Sequence, residues 1–294
     1  MDDKFPFLQK EEIKTIKITK RRDKMPVKAI VAGAAGRMGK TIINLIFNNP
    51  EIDLVGAFEH PEHPAVGKDV GEVVGLPKTG IVLEGSLEKV IEKGDVIIDF
   101  TFHKASLEHI RLNAKYKKAY VLGTTGFSKE ELEEIHSLAK ENFPLVQDYN
   151  MSMGVNLLCK LVEITAKVFA EGYDIEIIEA HHRMKKDAPS GTALKLANVI
   201  AQALGRTEKD YRFCREGIIG ERPAKEIGIQ TIRGGDIVGE HTVLFAGIGE
   251  RIELTHKASS RETFARGAIK AAIWVVGKTP GVYGMQDVLG LKNL

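Results

Sequence analysis

The chain has 294 residues, with 42 basic and 40 acidic side chains and a formal net charge of +2. So small a net charge argues against nucleic acid as an obligate partner, and no apolar run reaches the roughly 18 residues of a membrane-spanning helix. The two cysteines, Cys159 and Cys214, form no paired metal-binding or redox motif. We therefore expect no metal site and a reducing, cytoplasmic location.

The first 24 residues are polar and mixed in charge, and they lack the apolar core of a signal peptide. We expect a flexible N-terminal extension over residues 1–24, and Met25 is an alternative start of the protein.

Strand and helix patterns alternate up to about residue 151. Apolar runs at 28–32, 51–59, 94–101 and 118–126 predict four strands with helical segments between them. Ser128 is predicted to be the N-cap of a charged amphipathic helix. Strands that alternate with helices predict an α/β domain with a parallel, doubly wound sheet.

The pattern changes after residue 151. A long helix at 153–171 leads to a strand at 174–180 and a second helix at 190–204, and three extended runs follow. The last two runs are joined by a glycine-rich turn at 247–249, which indicates a hairpin. We predict an α+β domain over 152–260 with a mixed or antiparallel sheet, and a final helix that returns to the first domain.

A glycine-rich turn follows the first strand in the sequence VKAIVAGAAGRMGK at 27–40. Gly33, Gly36 and Gly39 permit a tight turn and close backbone approach, and the free N–H groups of the helix start hold a pyrophosphate. Glu59 ends the second strand, where a carboxylate accepts hydrogen bonds from the adenosine ribose. The motif predicts a dinucleotide site, and a plain connecting turn is the alternative.

The choice between NADH and NADPH stays open. Glu59 favours the free 2′-hydroxyl of NADH, whereas Arg37, His60 and Lys104 suit the 2′-phosphate of NADPH, so we expect both cofactors to be used. The run LGTTGFS at 122–128 closes the fourth strand on the ligand side of such a sheet. Its small residues admit the nicotinamide ribose, and an ordinary strand-to-helix turn is the alternative.

The run DIEIIEAHHRMKKDAPSGTAL at 174–194 ends an apolar strand in His181 and His182 and then adds Arg183, Lys185 and Lys186. Such a cluster suits an anionic substrate, and a histidine is a natural proton donor near neutral pH. A hydrogen-bonded structural histidine and a solvated lysine run are the alternatives. A metal site would need a third ligand at suitable spacing, and none is evident.

Ser190 and the backbone amides of Gly191 and Thr192 begin the next helix. Unpaired N–H groups and the positive end of the helix dipole bind carboxylates. The stretch therefore offers a proton donor, a cationic clamp and an anion site, which together suit a small dicarboxylic acid beside a hydride donor.

These motifs resemble those of one enzyme family. The runs EAHHRMKKDAPSGTAL, GAAGRMG, GTTGF, IVGEHTV and THKASSRETFA are similar to those of the dihydrodipicolinate reductases, over residues 27–294. The resemblance implies a Rossmann-like dinucleotide-binding domain (25–151 with 261–294) and a substrate-binding and tetramerisation domain (152–260) with a mixed sheet. It implies reduction of a dicarboxylate imine, 4-hydroxy-tetrahydrodipicolinate, with NADH or NADPH in the diaminopimelate route to lysine, by a homotetramer.

The resemblance also implies roles for individual residues. By motif position, His181 is the proton donor and Lys185 is its partner. The implied substrate contacts are His182, Ser190, Gly191, Thr192 and Arg261. The implied cofactor contacts are Gly33, Ala34, Ala35, Gly36, Arg37, Met38, Glu59, His60, Gly123, Thr124, Thr125, Asp148, Tyr149, Asn150 and Met151.

The chain departs from the family pattern near the cofactor. His60 stands where the family often has arginine, Phe102 follows DFT where some members have arginine, and Met151 replaces an aromatic residue. Two alternatives are a related Rossmann amino-acid or semialdehyde dehydrogenase, and a non-catalytic nicotinamide-sensing module. The first does not explain paired histidines before a Ser-Gly-Thr helix start, and the second predicts loss of His181 and Lys185, which are both present.

Overall fold

The computed structural model describes residues 25–169 and 171–294, so the extension expected over residues 1–24 lies outside the described residues. None of the described helices is both long enough and apolar enough to cross a membrane. In chain order the elements are β1 (Val27–Ala32), α1 (Arg37–Phe47), β2 (Ile52–Phe58), α2 (Val70–Val74), β3 (Leu83–Glu84), β4 (Val96–Asp99), α3 (His103–Tyr116), β5 (Ala119–Leu122), α4 (Lys129–Asn142), β6 (Pro144–Gln147), α5 (Met153–Val168), β7 (Asp174–His181), α6 (Gly191–Leu204), β8 (Tyr211–Phe213), β9 (Ile227–Arg233), β10 (Gly239–Ala246), β11 (Arg251–Ala258), α7 (Glu262–Val275), β12 (Gly281–Tyr283) and α8 (Met285–Val288).

Seven parallel strands form the first sheet, in the order β12-β6-β5-β4-β1-β2-β3. Strands β4 and β5 are buried along their whole length, because α1 and α7 cover one face of the sheet and α3 and α4 cover the other. The predicted parallel, doubly wound sheet is confirmed. The strand order reverses at β1, and ligands bind at the carboxyl ends of the strands beside such a reversal.

The second sheet has five strands in the order β11-β10-β7-β9-β8. Strand β10 pairs antiparallel with β7 and β11, whereas β9 runs parallel to both β7 and β8. The sheet is therefore mixed, because the chain crosses over through α6 before it forms β9. The predicted hairpin is confirmed, and its turn is closed by a hydrogen bond from Gly247 N to Glu250 O of 2.9 Å.

Helix α7 packs on the first sheet, as predicted for the final helix. Its buried residues Ala265, Ala268 and Ala272 belong to the same core as the side chains of α1. The close contact depends on a glycine, because a Cβ on Gly267 would lie 1.7 Å from the carbonyl oxygen of Met151. The chain that leaves the first sheet and the helix that returns to it therefore meet directly at the junction with the second sheet.

Several elements are shorter than the sequence predicts. The third and fourth strands end at Asp99 and Leu122, where the chain leaves the sheet, and α5 ends at Val168. Strands β3, β8 and β12 were missed, because runs of two or three residues at a sheet edge carry too little periodicity to recognise.

Candidate active site at the domain junction

The turn between β1 and α1 is built around its glycines. Gly33 has φ +63°, a left-handed conformation that glycine adopts without strain, and a Cβ there would lie 2.7 Å from Cγ2 of Thr101. A Cβ on Gly39 would lie 2.2 Å from the carbonyl oxygen of Gly33 and 2.7 Å from Cα of Ala34. The first turn of α1 therefore presses directly on the loop, as a phosphate-binding turn requires.

The start of α1 is open to an anion. Gly36 is its N-cap and supplies no side chain to satisfy the first amides, and the first turn carries no acidic residue. Arg37 is exposed at this end of the helix. The free N–H groups and the positive end of the helix dipole therefore fit a pyrophosphate.

Glu59 connects the second strand to the glycine-rich turn. Its Oε2 accepts a hydrogen bond of 3.0 Å from Ala35 N, and its Oε1 accepts one of 3.2 Å from His60 N. A cavity of about 730 Å³ opens beside it and is bordered by Gly33, Glu59, His60 and Phe102. Its position at the carboxyl ends of β1 and β2 and its size fit the adenosine half of a dinucleotide.

The turn after β5 is held from inside the protein. Thr124 is 6% exposed, and its hydroxyl accepts from Ser106 Oγ at 2.8 Å, so the Thr124 side chain fixes the turn. A Cβ on Gly123 would lie 2.2 Å from the ring of Phe100, so only glycine fits there. Thr125 is exposed and borders a second cavity, of about 480 Å³, on the same sheet edge.

The segment 148–151 links the two sheets. Asp148 bridges them, because its Oδ1 lies 2.5 Å from Nζ of Lys195 in α6 while its Oδ2 accepts from Met285 N at 3.1 Å. Asn150 Nδ2 donates to Thr192 Oγ1 at 3.1 Å, which joins the predicted cofactor segment to the predicted substrate helix. Tyr149 is exposed, whereas the side chain of Met151 is buried in the core.

His181 lies at the end of β7 with its ring almost fully buried. Its Nδ1 is 2.5 Å from Oε2 of Glu179, and its ring meets that of His241 edge-on, with centroids 5.2 Å apart. Burial lowers the pKa of the His181 imidazole, Glu179 opposes that effect, and the nearby Lys185 adds to it. The balance places the pKa below its usual value, so protonated His181 is a stronger acid than a free imidazolium.

The turn after His181 carries the predicted cationic clamp. Lys185 N donates to the carbonyl oxygen of His182 at 3.1 Å, and Lys185 Nζ lies 2.9 Å from Oδ1 of Asp187. His182 is half-buried, whereas Lys186 is exposed to solvent. The structure therefore places Lys185 and His182 in one tight turn beside His181.

The start of α6 lies against this turn. Ser190 is its N-cap, with Oγ accepting from Ala193 N at 3.1 Å and its own N–H donating to Glu179 Oε1 at 2.9 Å. A Cβ on Gly191 would meet no atom within 4 Å, so the space in front of the first amides is open. Arg261 is exposed immediately before α7, and its side chain forms no hydrogen bond within the described chain.

Two family models match the chain. The N-terminal model of dihydrodipicolinate reductase covers residues 27–151, and its C-terminal model covers residues 154–289. The chain belongs to the dihydrodipicolinate reductase family. The family resemblance and the fold class predicted from the sequence are both confirmed.

Relatives in this family are similar over most of the chain. The 4-hydroxy-tetrahydrodipicolinate reductase of Syntrophobacter fumaroxidans is 56% identical over 90% of this chain and 100% of its own length. That of Syntrophus aciditrophicus is 53% identical over 91% of this chain and all of its own. A dipicolinate-bound dihydrodipicolinate reductase from Paenisporosarcina sp. TG-14 superposes with a TM-score of 0.72 and 28% identity, over 90% of this chain and 99% of that one.

Asp99 is a buried carboxylate that the sequence patterns did not identify. Asp99 ends β4 fully buried, and it accepts hydrogen bonds from Thr101 Oγ1 at 2.7 Å and Tyr120 Oη at 2.7 Å and meets His109 Nδ1 at 2.9 Å. Burial alone would raise the pKa of Asp99, but His109 and the hydroxyl donors hold it below its usual value. The available signal in the sequence was an aspartate that ends the apolar run and begins DFT.

His241 was also missed, although the run IVGEHTV contains it. It lies in β10 beside His181 and is 3% exposed, with Nε2 hydrogen-bonded to Ser190 Oγ at 3.0 Å and Nδ1 buried without a described partner. Burial lowers the pKa of His241 to about 4, and the neighbouring His181 adds to that effect. The folded protein therefore holds His241 neutral at neutral pH.

His241 makes the fold sensitive to acid. The unfolded state binds its proton near pH 6.5, whereas the folded state binds it only near pH 4, so acidification between these values favours unfolding. We expect a loss of about 3 kcal/mol from this residue over that interval, complete below about pH 4. Denaturant unfolding at several pH values measures it, and His241→Gln should flatten the dependence between pH 6.5 and 4. An equally steep dependence in that variant would contradict the assignment.

Proposed function

We propose that this chain reduces 4-hydroxy-tetrahydrodipicolinate to tetrahydrodipicolinate with NADH or NADPH, in the diaminopimelate route to lysine. One observation of the site carries the proposal: both oxygens of Glu179 are used to join His181 to the start of α6, at 2.5 Å and 2.9 Å. A proton donor and an anion site are thereby fixed to each other beside the nucleotide domain. The reaction needs both, because its substrate is a dicarboxylate that takes up a hydride and one proton and loses its 4-hydroxyl group as water.

The nucleotide domain positions the cofactor. The amides at the start of α1 bind the pyrophosphate, and Glu59 faces the adenosine ribose from the end of β2. Gly123, Thr125 and the segment 148–151 border the nicotinamide end. When bound, the reduced nicotinamide supplies a hydride. Each oxygen of Glu59 accepts one backbone hydrogen bond and has a lone pair left for a ribose hydroxyl, which, with the nearby His60, is consistent with use of both NADH and NADPH.

The second domain binds the substrate and provides the proton. The amides of Gly191 and Thr192 and the ammonium group of Lys185 hold the carboxylates, with His182 and Arg261 as further contacts. Glu179 accepts a hydrogen bond from Nδ1–H of His181, so the proton for the substrate leaves from Nε2, and Lys185 supports this transfer. Substrate carboxylates raise the pKa of His181 on binding, so the ring is more often protonated when the substrate is in place than in the free enzyme.

The helix start of α6 can be tested with dipicolinate, the dicarboxylate bound in the Paenisporosarcina structure. Thr192→Pro removes one amide donor at a position where proline is compatible with a helix. Because a hydrogen bond to a charged group contributes about 1.5–3 kcal/mol, we expect its Kd for dipicolinate to be at least about tenfold above that of Thr192→Ala. Isothermal titration calorimetry measures both. Both variants lose the hydroxyl, so equal affinities would show that this amide does not face the carboxylate.

We also propose the division of the chain into a dinucleotide-binding domain (25–151 with 261–294) and a substrate and tetramerisation domain (152–260). Helices α5 and α6 cover one face of the second sheet, and the other face exposes Ile178 by 36% and Ile232 by 49%. An apolar sheet face of this kind suits the interface of a homotetramer. Sedimentation at micromolar concentration tests it, and a monomer would contradict it.

The enzyme is proposed to act in the cytoplasm. Both cysteines are free thiols, Cys159 buried and Cys214 exposed, which suits a reducing compartment that also supplies reduced nicotinamide.

A further inference from the structure

We propose that Glu179 and Arg233 are positioning residues for His181, a role that rests on the proposed function. Glu179 fixes which ring nitrogen carries the resting proton, and Arg233 limits how strongly Glu179 attracts a second proton to the ring. Neither residue belongs to the site inferred from the sequence. In this role each residue acts through the His181 ring and does not contact the substrate itself.

Glu179 is the centre of a fully buried hydrogen-bond network. Its side chain is 0% exposed, and five donor atoms from four residues converge on its two oxygens. The donors are His181 Nδ1 at 2.5 Å, Arg233 Nη1 at 2.8 Å and Nη2 at 2.9 Å, Ser190 N at 2.9 Å and Thr231 Oγ1 at 3.3 Å. Burial alone would raise the pKa of Glu179, but Arg233, His181 and Ser190 hold it below its usual value. The carboxylate is therefore ionised and can only accept, so His181 must carry a proton on Nδ1.

Arg233 reaches Glu179 from the neighbouring parallel strand. It pairs in register with His181, and its guanidinium binds both oxygens of Glu179 in a bidentate fork. Nη2 also donates to the carbonyl oxygen of Asp187 at 2.6 Å. Asp187 forms an ion pair with Lys185. The Arg233 guanidinium therefore connects the His181–Glu179 pair to the turn that carries Lys185.

Charged or titratable groups face His181 from its own strand, from both neighbouring strands and from the turn that follows it. Glu179 lies on its own strand, Arg233 on β9, the neutral His241 on β10, and Lys185 in the turn that follows. Glu179 alone would make the ring markedly more basic, and a very basic histidine is a poor proton donor at neutral pH. Because Arg233 shares the carboxylate, the ring keeps its orientation without becoming too basic to release the Nε2 proton.

A purely structural ion pair is the competing interpretation. In that case the Glu179–Arg233 pair only joins β7 to β9, and its loss would lower stability without changing the protonation of His181. The two interpretations predict different directions for the change in the His181 titration. If the proposal is correct, removing the carboxylate and removing the guanidinium shift the titration of His181 in opposite directions, which a loss of stability does not produce.

The test uses Glu179→Gln, Arg233→Met and the double variant, with the full-length protein in its native assembly. Arg111→Met is the matched control, because it removes a bidentate arginine–glutamate pair between α3 and α4 of the first domain. Histidine labelled with ¹⁵N reports the tautomer and the titration of His181, assigned by loss of its signal in His181→Gln. The pH dependence of kcat/KM is measured on the same proteins.

In the wild type we expect neutral His181 to carry its proton on Nδ1. Glu179→Gln should move its titration to lower pH and lower kcat/KM by about 100-fold, within the range of a general acid. Arg233→Met should move the titration to higher pH, and the control should leave it unchanged. The double variant avoids an unpaired buried carboxylate. Because the charge of Arg233 also lowers the pKa of His181 directly, the double variant should titrate between Glu179→Gln and the wild type.

Three results would overturn the proposal: neutral wild-type His181 with its proton on Nε2, titration shifts in the same direction in the two single variants, or a double variant that titrates above the wild type or below Glu179→Gln. If Arg233→Met does not fold, the comparison of the double variant with Glu179→Gln still decides the outcome. The NMR measurements need no substrate. A protein that shows the expected titrations but no reductase activity would therefore refute the proposed function and leave the positioning role intact.

Discussion

His181→Gln lowers kcat by about two to four orders of magnitude, the usual contribution of a positioned general acid. Nucleotide affinity stays near the wild-type value, because His181 lies at the end of β7 and contacts Glu179 and His241 in the second sheet. Steady-state kinetics and nucleotide titration by fluorescence measure the two effects. His63→Gln is the control, since His63 is a half-buried residue of the first domain whose Nδ1 accepts from Ala65 N.

The pH dependence gives a second readout of the same residue. Burial lowers the pKa of His181 in the free enzyme, so kcat/KM should fall as the pH rises through a value below 6.5. Substrate carboxylates stabilise the imidazolium, so the corresponding fall in kcat should lie at higher pH. Near-wild-type turnover of His181→Gln, or identical limbs in the two profiles, would remove His181 from the role of proton donor.

Gly39→Ala weakens nucleotide binding by about 10–100-fold and leaves the second domain intact. The added Cβ would lie 2.2 Å from the carbonyl oxygen of Gly33 and 2.7 Å from Cα of Ala34. Both neighbours are backbone atoms, so the loop and the start of α1 must move apart, and the amides that hold the pyrophosphate lose their arrangement. A shift of this size corresponds to about 1.4–2.8 kcal/mol of binding free energy.

Calorimetric titration with NADH measures the effect of Gly39→Ala. Gly234→Ala is the matched control, because a Cβ at Gly234 would meet no atom within 4 Å. Circular dichroism and dipicolinate binding establish that the second domain of each variant is folded. Unchanged NADH affinity in Gly39→Ala would show that the glycine-rich turn is a plain connector.

The first half of the molecule was largely predictable, because its signals are local. The glycines of the turn after β1 are required by contacts within a few residues, and Glu59 follows from the length of one strand–helix–strand unit. Ser128 was recognised as an N-cap, and the structure shows the full capping box with Glu131. The parallel sheet followed from alternation of buried strands with amphipathic helices.

The network behind the proton donor was not predictable from the sequence. Arg233 is 54 positions from Glu179, and only the parallel pairing of β7 with β9 brings them together. His241 lies 51 positions from Ser190, on a strand that pairs antiparallel with β7. Since the sequence left the sheet either mixed or antiparallel, it left these partners open as well. Local patterns identified the proton donor, and tertiary pairing identified the groups that control it.

The most direct test of the proposed reaction is a coupled assay. Purified protein is mixed with pyruvate, aspartate semialdehyde and the upstream synthase, and loss of reduced-nicotinamide absorbance is followed with NADH and NADPH separately, with His181→Gln alongside. We expect oxidation with both cofactors that requires the synthase product and falls by about two to four orders of magnitude in the variant. A folded protein that binds nucleotide but oxidises neither cofactor in the presence of the synthase product would contradict the proposed reaction.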